Sequence, residues 1–518
     1  MRSFIQCHQD KIKGVLSGLD RIRFRGTLRA IAHAWGLKHF LQATGVLLKQ
    51  FKDYALDCTR RLHRATEQQA KDQGRPFSYL QRSTTSKEDL ARHIAQRDGI
   101  SQGLVAIFRT VENCWSFEVV SDRVRRGPRF LQLRAGPRKC LHYYHYFLDP
   151  EFGLMHARVQ SWLPFTIHVC LNGRQWLARQ MQRAGIGSVQ RDNCFVDVDD
   201  FAAAQQLLDQ QVRYDWSTRL GQLACQVQPA QAAILGRPIP YYWSVDESEW
   251  ATDVAFHRAD DLARLYRPLV RYGIDGLSSR DVLRFLGRRQ PDRCPRAAVW
   301  TDYEVRPEGT RIKHYLNHNV LKMYDKQQSV LRVETVINNP EDFKVYRTAE
   351  GDDDGTPQWR KLRKGVADLP RRAEVSQAAN ERYYEALAAV AETTPLAELA
   401  ARVCRRVRWK KTSVRALNPL AEADAALLTA VNHGEFAVNG FRNRDLRQLL
   451  DGDRTVSAEE LRRRSAAVTR QLRLLRAHHL IHKVAHTHRY QLSPDGRRII
   501  AALLAARQAD TTKLIAAA

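Results

Sequence analysis

A long hydrophobic run is the first feature that this 518-residue sequence lacks. Its mean hydropathy is −0.48, and no apolar stretch approaches the roughly 18 residues that suggest a membrane-spanning helix. The first residues carry scattered charges without an unbroken apolar segment, which is unlike a secretory signal. The nine cysteines include no CxxC pair, a usage that favours reduced thiols over a disulfide framework. We therefore expect a cytoplasmic protein without a membrane partner.

Several catalytic signatures are missing as well. The sequence contains neither a P-loop nor a GxGxxG fingerprint, so nucleotide hydrolysis is not indicated. It also contains no GxSxG and no SxxK element, which argues against the serine hydrolase classes that carry those motifs.

Acidic residues are scarce relative to basic ones. The chain has 83 Lys and Arg against 56 Asp and Glu, a net charge of +27. Such an excess is typical of proteins that bind nucleic acid, because Lys and Arg displace the counterions condensed on phosphates. The alternative is a solvated basic surface, since net charge by itself reports only on solubility and non-specific binding.

The length predicts about three or four domains. With 44% hydrophobic and 27% charged residues, the composition is that of a folded α+β multidomain chain. The element pattern predicts a mainly helical N-terminal domain with a basic arm over 1–125 and an α+β core over 126–347. The pattern further predicts a linker with a connecting helix over 348–400 and a DNA-binding domain over 401–518.

The C-terminal segment holds a large share of the charge. Residues 401–518 contain 23 Lys and Arg against 10 Asp and Glu, a net +13. Apolar spacing predicts helices over 421–436 and 442–450, and a long helix that begins after an N-cap at Ser457. Two short strands and a last helix follow, and this order of elements is that of a winged helix-turn-helix.

The stretch LRLLRAHHLIHKVAHTHRYQLSPDGRRII (472–500) resembles the recognition-helix end, wing and following helix of MarR- and ArsR-like winged-helix domains. The resemblance covers about 420–505 and implies a helix in the major groove of DNA and a basic wing on the backbone or minor groove. Winged helices also serve as protein-interaction modules, which is the alternative. The candidate nucleic-acid contacts are Arg463, Arg464, Thr469, Arg470, Arg473 and Arg476 on the helix, and Lys483, His488 and Arg489 on the wing.

The N-terminal region is predicted to be mostly helical, including DKIKGVLSGLD (10–20). The next segment, 21–29, alternates Arg with apolar residues, which predicts a strand or extended arm with a basic face. Arg21, Arg23 and Arg25 on that face could track a phosphate backbone. An edge strand protected by charge explains the pattern equally well.

Within 126–235 the pattern predicts a strand over 156–173 that ends in an Asn172-Gly173 turn, a helix over 174–186, a strand over 193–200 and a helix over 201–216. This order suggests a ferredoxin-like unit. Just before the first strand, Cys140, His142 and His145 lie close enough in sequence to ligate zinc, but no second ligand pair stands at a familiar spacing. A packed aromatic strand is the favoured interpretation, so no metal site is assigned.

Residues 236–347 contain the most suggestive acidic residues. Glu249 and Asp253 lie in an aromatic segment, and three apolar runs between 311 and 339 predict consecutive antiparallel strands. Asp325 and Glu334 would then lie on neighbouring strands. With the basic residues Lys322, Lys326 and Arg332 beside them, these carboxylates could form a Mg²⁺ site for phosphoryl transfer. They could equally form a charged cross-strand ladder without chemistry.

The pattern KxYDK followed by LRxE (322–334) is similar to a stretch in replication-initiation proteins of filamentous phages and small plasmids. That resemblance implies that Tyr324, Asp325, Lys326, Arg332 and Glu334 belong to a catalytic or origin-binding sheet. The His-hydrophobic-His pair of the rolling-circle pattern is absent from any predicted strand of this region. As a whole, the chain resembles an uncharacterised bacterial family of the mobile-element type.

Two hypotheses follow. In the first, the protein binds DNA for a mobile or replicating element, as a replication-initiator-like or transposase-like factor, with metal-dependent nicking or strand transfer and Mg²⁺ as the cofactor. In the second, it is a non-enzymatic winged-helix regulator of DNA or a structured-RNA-binding protein. DNA is the expected partner, RNA is the alternative, and a homodimer is compatible with the sequence. Convergence of Glu249, Asp253, Asp325 and Glu334 would favour the first hypothesis.

Overall fold

The computed structural model describes residues 1–81, 84–123, 129–287, 299–306, 309–348, 356, 358–391, 396–433, 436, 440–452, 457–485 and 487–507. The chain divides into two compact units. The sheet unit comprises Asp10–Val270 and Thr301–Glu381, and the C-terminal unit comprises Met1–Gln9, Arg271–Trp300 and Arg382–Ala518. This division differs from the four segments predicted from the sequence.

The described α-helices are α1 Arg2–Cys7, α2 Ala34–Ala43, α3 Phe51–Asp72, α4 Lys87–Arg97, α5 Gly173–Arg183, α6 Phe201–Asp209, α7 Trp216–Val227, α8 Gln231–Leu235, α9 Ala259–Arg271, α10 Ser279–Phe285, α11 Leu369–Leu387, α12 Leu396–Val403, α13 Glu422–Val431, α14 Asn443–Asp451, α15 Ala458–Ala477 and α16 Pro494–Arg507. None of them is both long and apolar enough to cross a membrane.

The described strands are β1 Ile12–Thr27, β2 Phe77–Tyr79, β3 Gly103–Arg123, β4 Arg129–Asp149, β5 Gly153–Gln160, β6 Ile167–Asn172, β7 Ser188–Arg191, β8 Cys194–Val198, β9 Tyr242–Phe256, β10 Val299–Arg306, β11 Gly309–Leu316, β12 Asn319–Lys326, β13 Val330–Ile337, β14 Lys344–Arg347, β15 Gln358–Lys361, β16 Val407–Trp409, β17 Thr412–Val414, β18 Ile481–Lys483 and β19 Tyr490–Leu492.

The protein has a mixed α and β fold built on one large mixed sheet. Eleven strands lie in the order β10-β11-β12-β13-β9-β1-β6-β5-β4-β3-β2. The β2–β3 pair is parallel. Every neighbouring pair from β11 across the sheet to β3 is antiparallel. The main hydrophobic core of the sheet unit packs helices such as α3 and α5 against β1, β5 and β6.

The first strand corrects a prediction. The segment 10–20 was expected to be helical, but Ile12–Thr27 is one continuous strand. Two glycines inside a helix would each cost about 1 kcal/mol, and here Gly14 and Gly18 have a packing role. A Cβ atom at either position would collide with Phe201 or Leu208 of α6. These glycines therefore mark the close approach of α6 to β1.

The ferredoxin-like prediction is wrong. The four predicted segments exist as β6, α5, β8 and α6. However, β6 belongs to the large sheet, whereas β8 pairs with β7 in a separate two-stranded sheet. The Asn172-Gly173 pair is also not a hairpin turn, because the Asn172 side chain caps α5 by accepting from the backbone N–H groups of Arg174 and Gln175.

The prediction of three antiparallel strands between 311 and 339 is confirmed. In β11–β12 and β12–β13 the register places Lys313 opposite Lys322 and Lys322 opposite Glu334. All eight residues of β13 are buried, so this strand lies inside the sheet although it contains Arg332 and Glu334.

The C-terminal unit contains the elements predicted for its last hundred residues. The helices α13, α14 and α15, the strands β18 and β19, and α16 follow one another in the expected order. Ser457 caps α15 through a hydrogen bond from the Glu460 amide, as predicted. A separate hydrophobic core joins these helices through residues such as Leu428, Leu446 and Leu475. The short hairpin β16–β17 was not predicted.

Candidate functional site

Three neighbouring strands of the sheet unit bring carboxylates together. Asp20 lies on β1, Glu249 and Asp253 lie on β9, and Glu334 lies on β13. The register pairs β13 with β9 so that Val336 lies opposite Glu249. At Asp20 the β1–β9 pairing shifts by one residue, and a bulge of this kind turns a side chain away from strict alternation.

Asp20, Glu249 and Glu334 form what we call the acidic cluster. One carboxylate oxygen from each lies within 4.8 Å of the other two. The side chains of Asp20 and Glu334 are almost fully buried, whereas that of Glu249 is 17% exposed. Solvent therefore reaches the cluster on the Glu249 side. Carboxylate oxygens at this spacing are the ligands that Mg²⁺ or Mn²⁺ would take.

Two side chains of β12 bind Glu334. The ammonium group of Lys322 lies 2.6 Å from Glu334 Oε1 and 3.4 Å from Glu249 Oε1. The hydroxyl of Tyr324 donates to Glu334 Oε2 over 2.6 Å. A divalent cation that bound Glu249 and Glu334 would have to displace Lys322, because both positive charges would otherwise occupy the same space.

Two buried arginines neutralise the other carboxylates. Arg332 donates from Nε and Nη2 to the two oxygens of Asp253 over 2.6 and 2.8 Å, and from Nη1 to Asp20 over 3.0 Å. Arg174, at the start of α5, forms an ion pair with Asp253, with 3.0 Å between Nη2 and Oδ2. The amide of Asn193 donates to Asp20 over 2.7 Å. The four carboxylates are thus balanced by Lys322, Arg332 and Arg174, and Arg21 also interacts electrostatically with Glu249.

The environment separates the acidities of Glu249 and Glu334. Burial raises the pKa of Glu249 to about 7, and the charge on Glu334 adds to the rise. Burial also opposes ionisation of Glu334, but Lys322 and Arg332 outweigh it and lower the pKa of that carboxyl. Two carboxyl groups with pKa values pushed apart are the pattern of an acid–base pair. Glu249 can therefore exchange a proton near neutral pH while Glu334 stays ionised.

Asp325 does not belong to the acidic cluster. Successive side chains of a strand point to opposite faces, so the residue next to Tyr324 faces away from Glu334. Burial raises the pKa of Asp325 to about 6, and its charge acts on Tyr266 of α9 rather than on Glu334. The predicted pairing of Asp325 with Glu334 is corrected for this reason.

Three other predicted residues of β12 and β13 are already engaged. Arg332 is 1% exposed, which leaves no surface for the nucleic-acid contact expected of it. Lys326 binds Asp192 over 2.6 Å. Burial and the charge of Glu334 raise the pKa of Tyr324 well above its usual value, so this hydroxyl is poorly suited to be a nucleophile.

Sequence reasoning missed Asp20, Arg174 and Asn193. The helix predicted over 10–20 hides Asp20, which lies on β1. Arg174 follows the helix-capping Asn172, and this cap indicates where a helix starts but not that Arg174 contacts β1 and β9. Asn193 lies in the β7–β8 turn, and its carbonyl accepts from Arg332 over 2.8 Å.

The arginines of 21–25 lie on an interior strand rather than on an arm or an edge strand, because β1 pairs with both β6 and β9. Arg23 binds Glu247 over 3.3 Å and Arg25 binds Asp246 over 2.9 Å. Both ion pairs are partly exposed. Arg21 lies opposite Glu249 in the register.

The cysteine and histidines of β4 do not form a metal site with one another. Within the described residues, the acidic cluster is the one group of three or more His, Cys, Asp or Glu side chains with ligand spacing. His145 is fully buried, which lowers its pKa to about 4. Cys140 instead lies next to Cys114, with 3.3 Å between the sulfur atoms.

A second candidate surface lies on α15 in the C-terminal unit. Arg462, Thr469, Arg470 and Arg473 are exposed, and Arg476 is half-buried. The spacing of 462, 469, 473 and 476 places them along one stripe of the helix. Arg463 and Arg464 differ from these, because both bind Glu460 over 2.8 Å.

The predicted wing residues lie on or beside β18 and β19. Lys483 and His488 are exposed, and Arg489 is half-buried, with its guanidinium donating to the Gly440 carbonyl over 3.4 Å. Phe441, just before α14, forms an antiparallel bridge with Tyr490. The short sheet of this region therefore includes a contribution from the chain between α13 and α14.

Comparisons with protein-family models, with curated proteins and with solved structures found no match for this chain.

Proposed function

We propose that this protein binds duplex DNA through its C-terminal unit, with α15 as the helix that enters the major groove and the β18–β19 hairpin as a wing. The observation that carries the proposal is the set of arginines on α15, of which Arg462, Arg470 and Arg473 are exposed. The element order and the Phe441–Tyr490 bridge support a winged helix-turn-helix arrangement.

The packing of α14 on α15 suits such a role. The Asn443 side chain donates to the Ser465 carbonyl and to the Thr469 hydroxyl, each over 2.9 Å. The Ser465 hydroxyl donates back to Asn443 over 3.1 Å. These bonds fix the two helices at the start of α14, while the stripe on α15 stays exposed.

The dimensions and charge of α15 also fit the major groove of DNA. A helix of 20 residues is about 30 Å long, and the major groove of B-DNA, about 12 Å wide, admits a helix. Arg470 and Arg473 form no ion pair among the described residues, so binding to phosphates would not have to break one. The expectation that the protein serves a mobile or replicating element stays part of this proposal, resting on the sequence resemblance.

Duplex binding can be measured by fluorescence anisotropy of labelled DNA at several salt concentrations. Arg470→Ala should weaken binding about tenfold and reduce the log–log salt slope by roughly one unit, as expected for the loss of one phosphate contact. Arg402→Ala is the matched control, because Arg402 is exposed and binds Glu398 over 3.1 Å on α12. Salt-insensitive binding, or equal behaviour of the two variants, would refute the proposal. Labelled RNA in the same assay tests the alternative partner.

A specific observation favours a second function, metal-dependent cleavage of a DNA strand. Asp20, Glu249 and Glu334 converge within 4.8 Å, and solvent reaches the cluster at Glu249, whose side chain is 17% exposed. Mg²⁺ held by these carboxylates would polarise the phosphate and activate the water.

The cleavage test compares Glu249→Gln with Asp325→Asn on supercoiled DNA with Mg²⁺ or Mn²⁺. The first substitution removes a cluster carboxylate, and the second removes a carboxylate from the opposite face of the same sheet. Cleavage lost only in Glu249→Gln, with duplex binding retained, would support the function. Absence of cleavage in the unsubstituted protein would leave the carboxylates a structural role.

A further inference from the structure

The hairpin β16–β17, which we call the Trp409 hairpin (407–414), is built from an unusually basic segment. Its register pairs Val407 with Val414 and Trp409 with Thr412. Lys410 and Lys411 form the turn, with φ values of +46° and +63°. Such two-residue turns normally use Asn-Gly or similar pairs, so two lysines at positive φ carry a conformational cost and place two ammonium groups at the tip.

Three cations surround the ring of Trp409. Lys410 Nζ lies 5.2 Å from the ring centroid, and the guanidinium carbons of Arg473 and Arg476 lie at 5.6 and 5.2 Å. Arg473 also donates to the Thr412 hydroxyl over 2.9 Å, which ties α15 to the hairpin. The indole ring therefore holds together positive charges that would otherwise repel one another.

These cations lack an anionic partner. Within the described part of the chain, no carboxylate lies within 4.0 Å of Lys410, Lys411, Arg473 or Arg476. Asp424 is engaged by two bonds from Arg415 over 2.6 and 2.7 Å and one from the backbone of Asn418. Among the residues that the structure describes, these four cations therefore form no ion pair.

A groove of about 660 Å³ runs between the Trp409 hairpin and α15. Thr412, Ser413, Arg470 and Arg473 line it with hydroxyl and guanidinium donors. Gln471, also in the lining, has a buried side-chain oxygen without a hydrogen-bond partner among the described residues.

We propose that the Trp409 hairpin and α15 together bind a phosphodiester of the DNA backbone, with Lys410, Lys411, Arg470 and Arg473 as the charged contacts. This inference rests on the proposed function, because the backbone in question borders the groove that α15 enters. A phosphate fits better than a peptide carboxylate. Arginine forks pair with carboxylates as well as with phosphates, so the preference for phosphate rests on position: Arg470 and Arg473 line a groove beside the helix that would contact bases.

The test uses the full chain, a labelled DNA duplex and anisotropy at several salt concentrations. Lys410→Ala with Lys411→Ala should lower the log–log salt slope by roughly two units and weaken binding about 10- to 100-fold at 0.1 M salt. Lys71→Ala with Lys361→Ala is the matched control, because both lysines are about two-thirds exposed and bind carboxylates of the sheet unit. Equal thermal unfolding midpoints establish that the turn variant is folded.

Trp409→Leu separates positioning from charge. It keeps every cation but removes the ring that holds them, so affinity should fall several-fold while the salt slope stays within half a unit of that of the unsubstituted protein. An unchanged affinity in this variant would overturn the role of Trp409.

The outcomes distinguish the two proposals. If the unsubstituted protein shows no salt-dependent duplex binding, the proposed function itself fails. If Arg470→Ala weakens binding while the double lysine variant behaves as its control, the hairpin inference is overturned and the proposed function stands. Displacement of the duplex by polyglutamate at equal charge concentration would also overturn the inference, since it would show that any polyanion suffices.

Discussion

Arg332 is the central cation of the buried charge network, and its removal gives the sharpest test of the structure. It is 1% exposed and donates to both oxygens of Asp253, to Asp20 and to the Asn193 carbonyl. Methionine has a similar length and no charge, so Arg332→Met removes the cation without opening a large cavity.

The magnitude follows from the contacts that remain. Removing one partner of a buried ion pair typically costs about 3–5 kcal/mol, because the other charge stays buried without compensation. Asp253 would keep its bond to Arg174 and Asp20 would keep its bond to Asn193. We therefore expect Arg332→Met to lower the free energy of unfolding by about 3 kcal/mol, at the lower end of this range.

A double substitution tests the cause. If an uncompensated charge is responsible, Arg332→Met combined with Asp253→Asn should cost less than the sum of the single changes, with a coupling of about 1–3 kcal/mol. Urea unfolding followed by tryptophan fluorescence measures each value, since Trp250 lies on the neighbouring strand β9.

Arg311→Met is the matched control. Arg311 lies on β11 of the same sheet and binds Glu304 over 3.0 Å, but it is 21% exposed. Partly exposed pairs contribute up to about 1 kcal/mol. A cost of Arg332→Met below 1 kcal/mol, or equal to that of Arg311→Met, would refute the argument that Arg332 neutralises buried carboxylates.

Three further predictions concern titrating groups. Glu249 has a pKa of about 7 against 4.5 in an unfolded chain, so the protein loses stability as pH rises from about 4.5 through 7. Glu249→Gln should remove about 3 kcal/mol of that loss, giving a higher urea midpoint than the unsubstituted protein at pH 8.5 but not at pH 5. The hydrogen bond from Cys114 lowers the pKa of Cys140. Cys114→Ala should therefore move the pH dependence of the Cys140 alkylation rate, followed by mass spectrometry, to higher pH. An unchanged pH dependence would contradict this. Burial lowers the pKa of His145 to about 4 from 6.5, so its contribution to stability is present above pH 6.5 and is lost as pH falls through 4. His145→Phe should therefore reduce the decline of the urea midpoint between pH 6.5 and 4. An equal decline in both proteins would contradict this prediction.

The central strands could be predicted from the sequence because their patterns are strong. Apolar and β-branched residues fill 320–337, with turn residues between the strands, and the β12–β13 hairpin formed as expected. The first strand could not be identified in the same way. Its apolar residues Ile12, Val15, Leu16 and Leu19 lie at helical spacing, and only the approach of α6 explains why Gly14 and Gly18 belong to a strand.

The acidic cluster was found in part. Asp325 and Glu334 were predicted to meet because they lie on neighbouring strands, but alternation along β12 already places Asp325 on the face opposite to Tyr324. Glu249 was a candidate only as one of the acidic residues in an aromatic segment, and it is Glu249 that meets Glu334. Arg332 was expected to contact nucleic acid, since sequence alone does not show that a strand is buried on both faces.

The Trp409 hairpin was missed because its signal is weak. Each of its strands has three residues, and its Lys410-Lys411 turn lacks the Asn-Gly or Asp-Gly signature that identifies short hairpins. The basic residues around it contributed to the net charge of the segment, but nothing in the spacing indicated that they meet α15.

The position of β1 has a consequence for how the protein is made. This strand lies between β6 and β9, and Ser17 and Trp250, which share a hydrogen bond, are 233 residues apart in the chain. During synthesis β1 therefore emerges long before its partner strand β9 exists, and one of its edges stays unpaired in the meantime. Because unpaired edges promote association between chains, newly made fragments that end before β9 should depend on chaperones to stay apart.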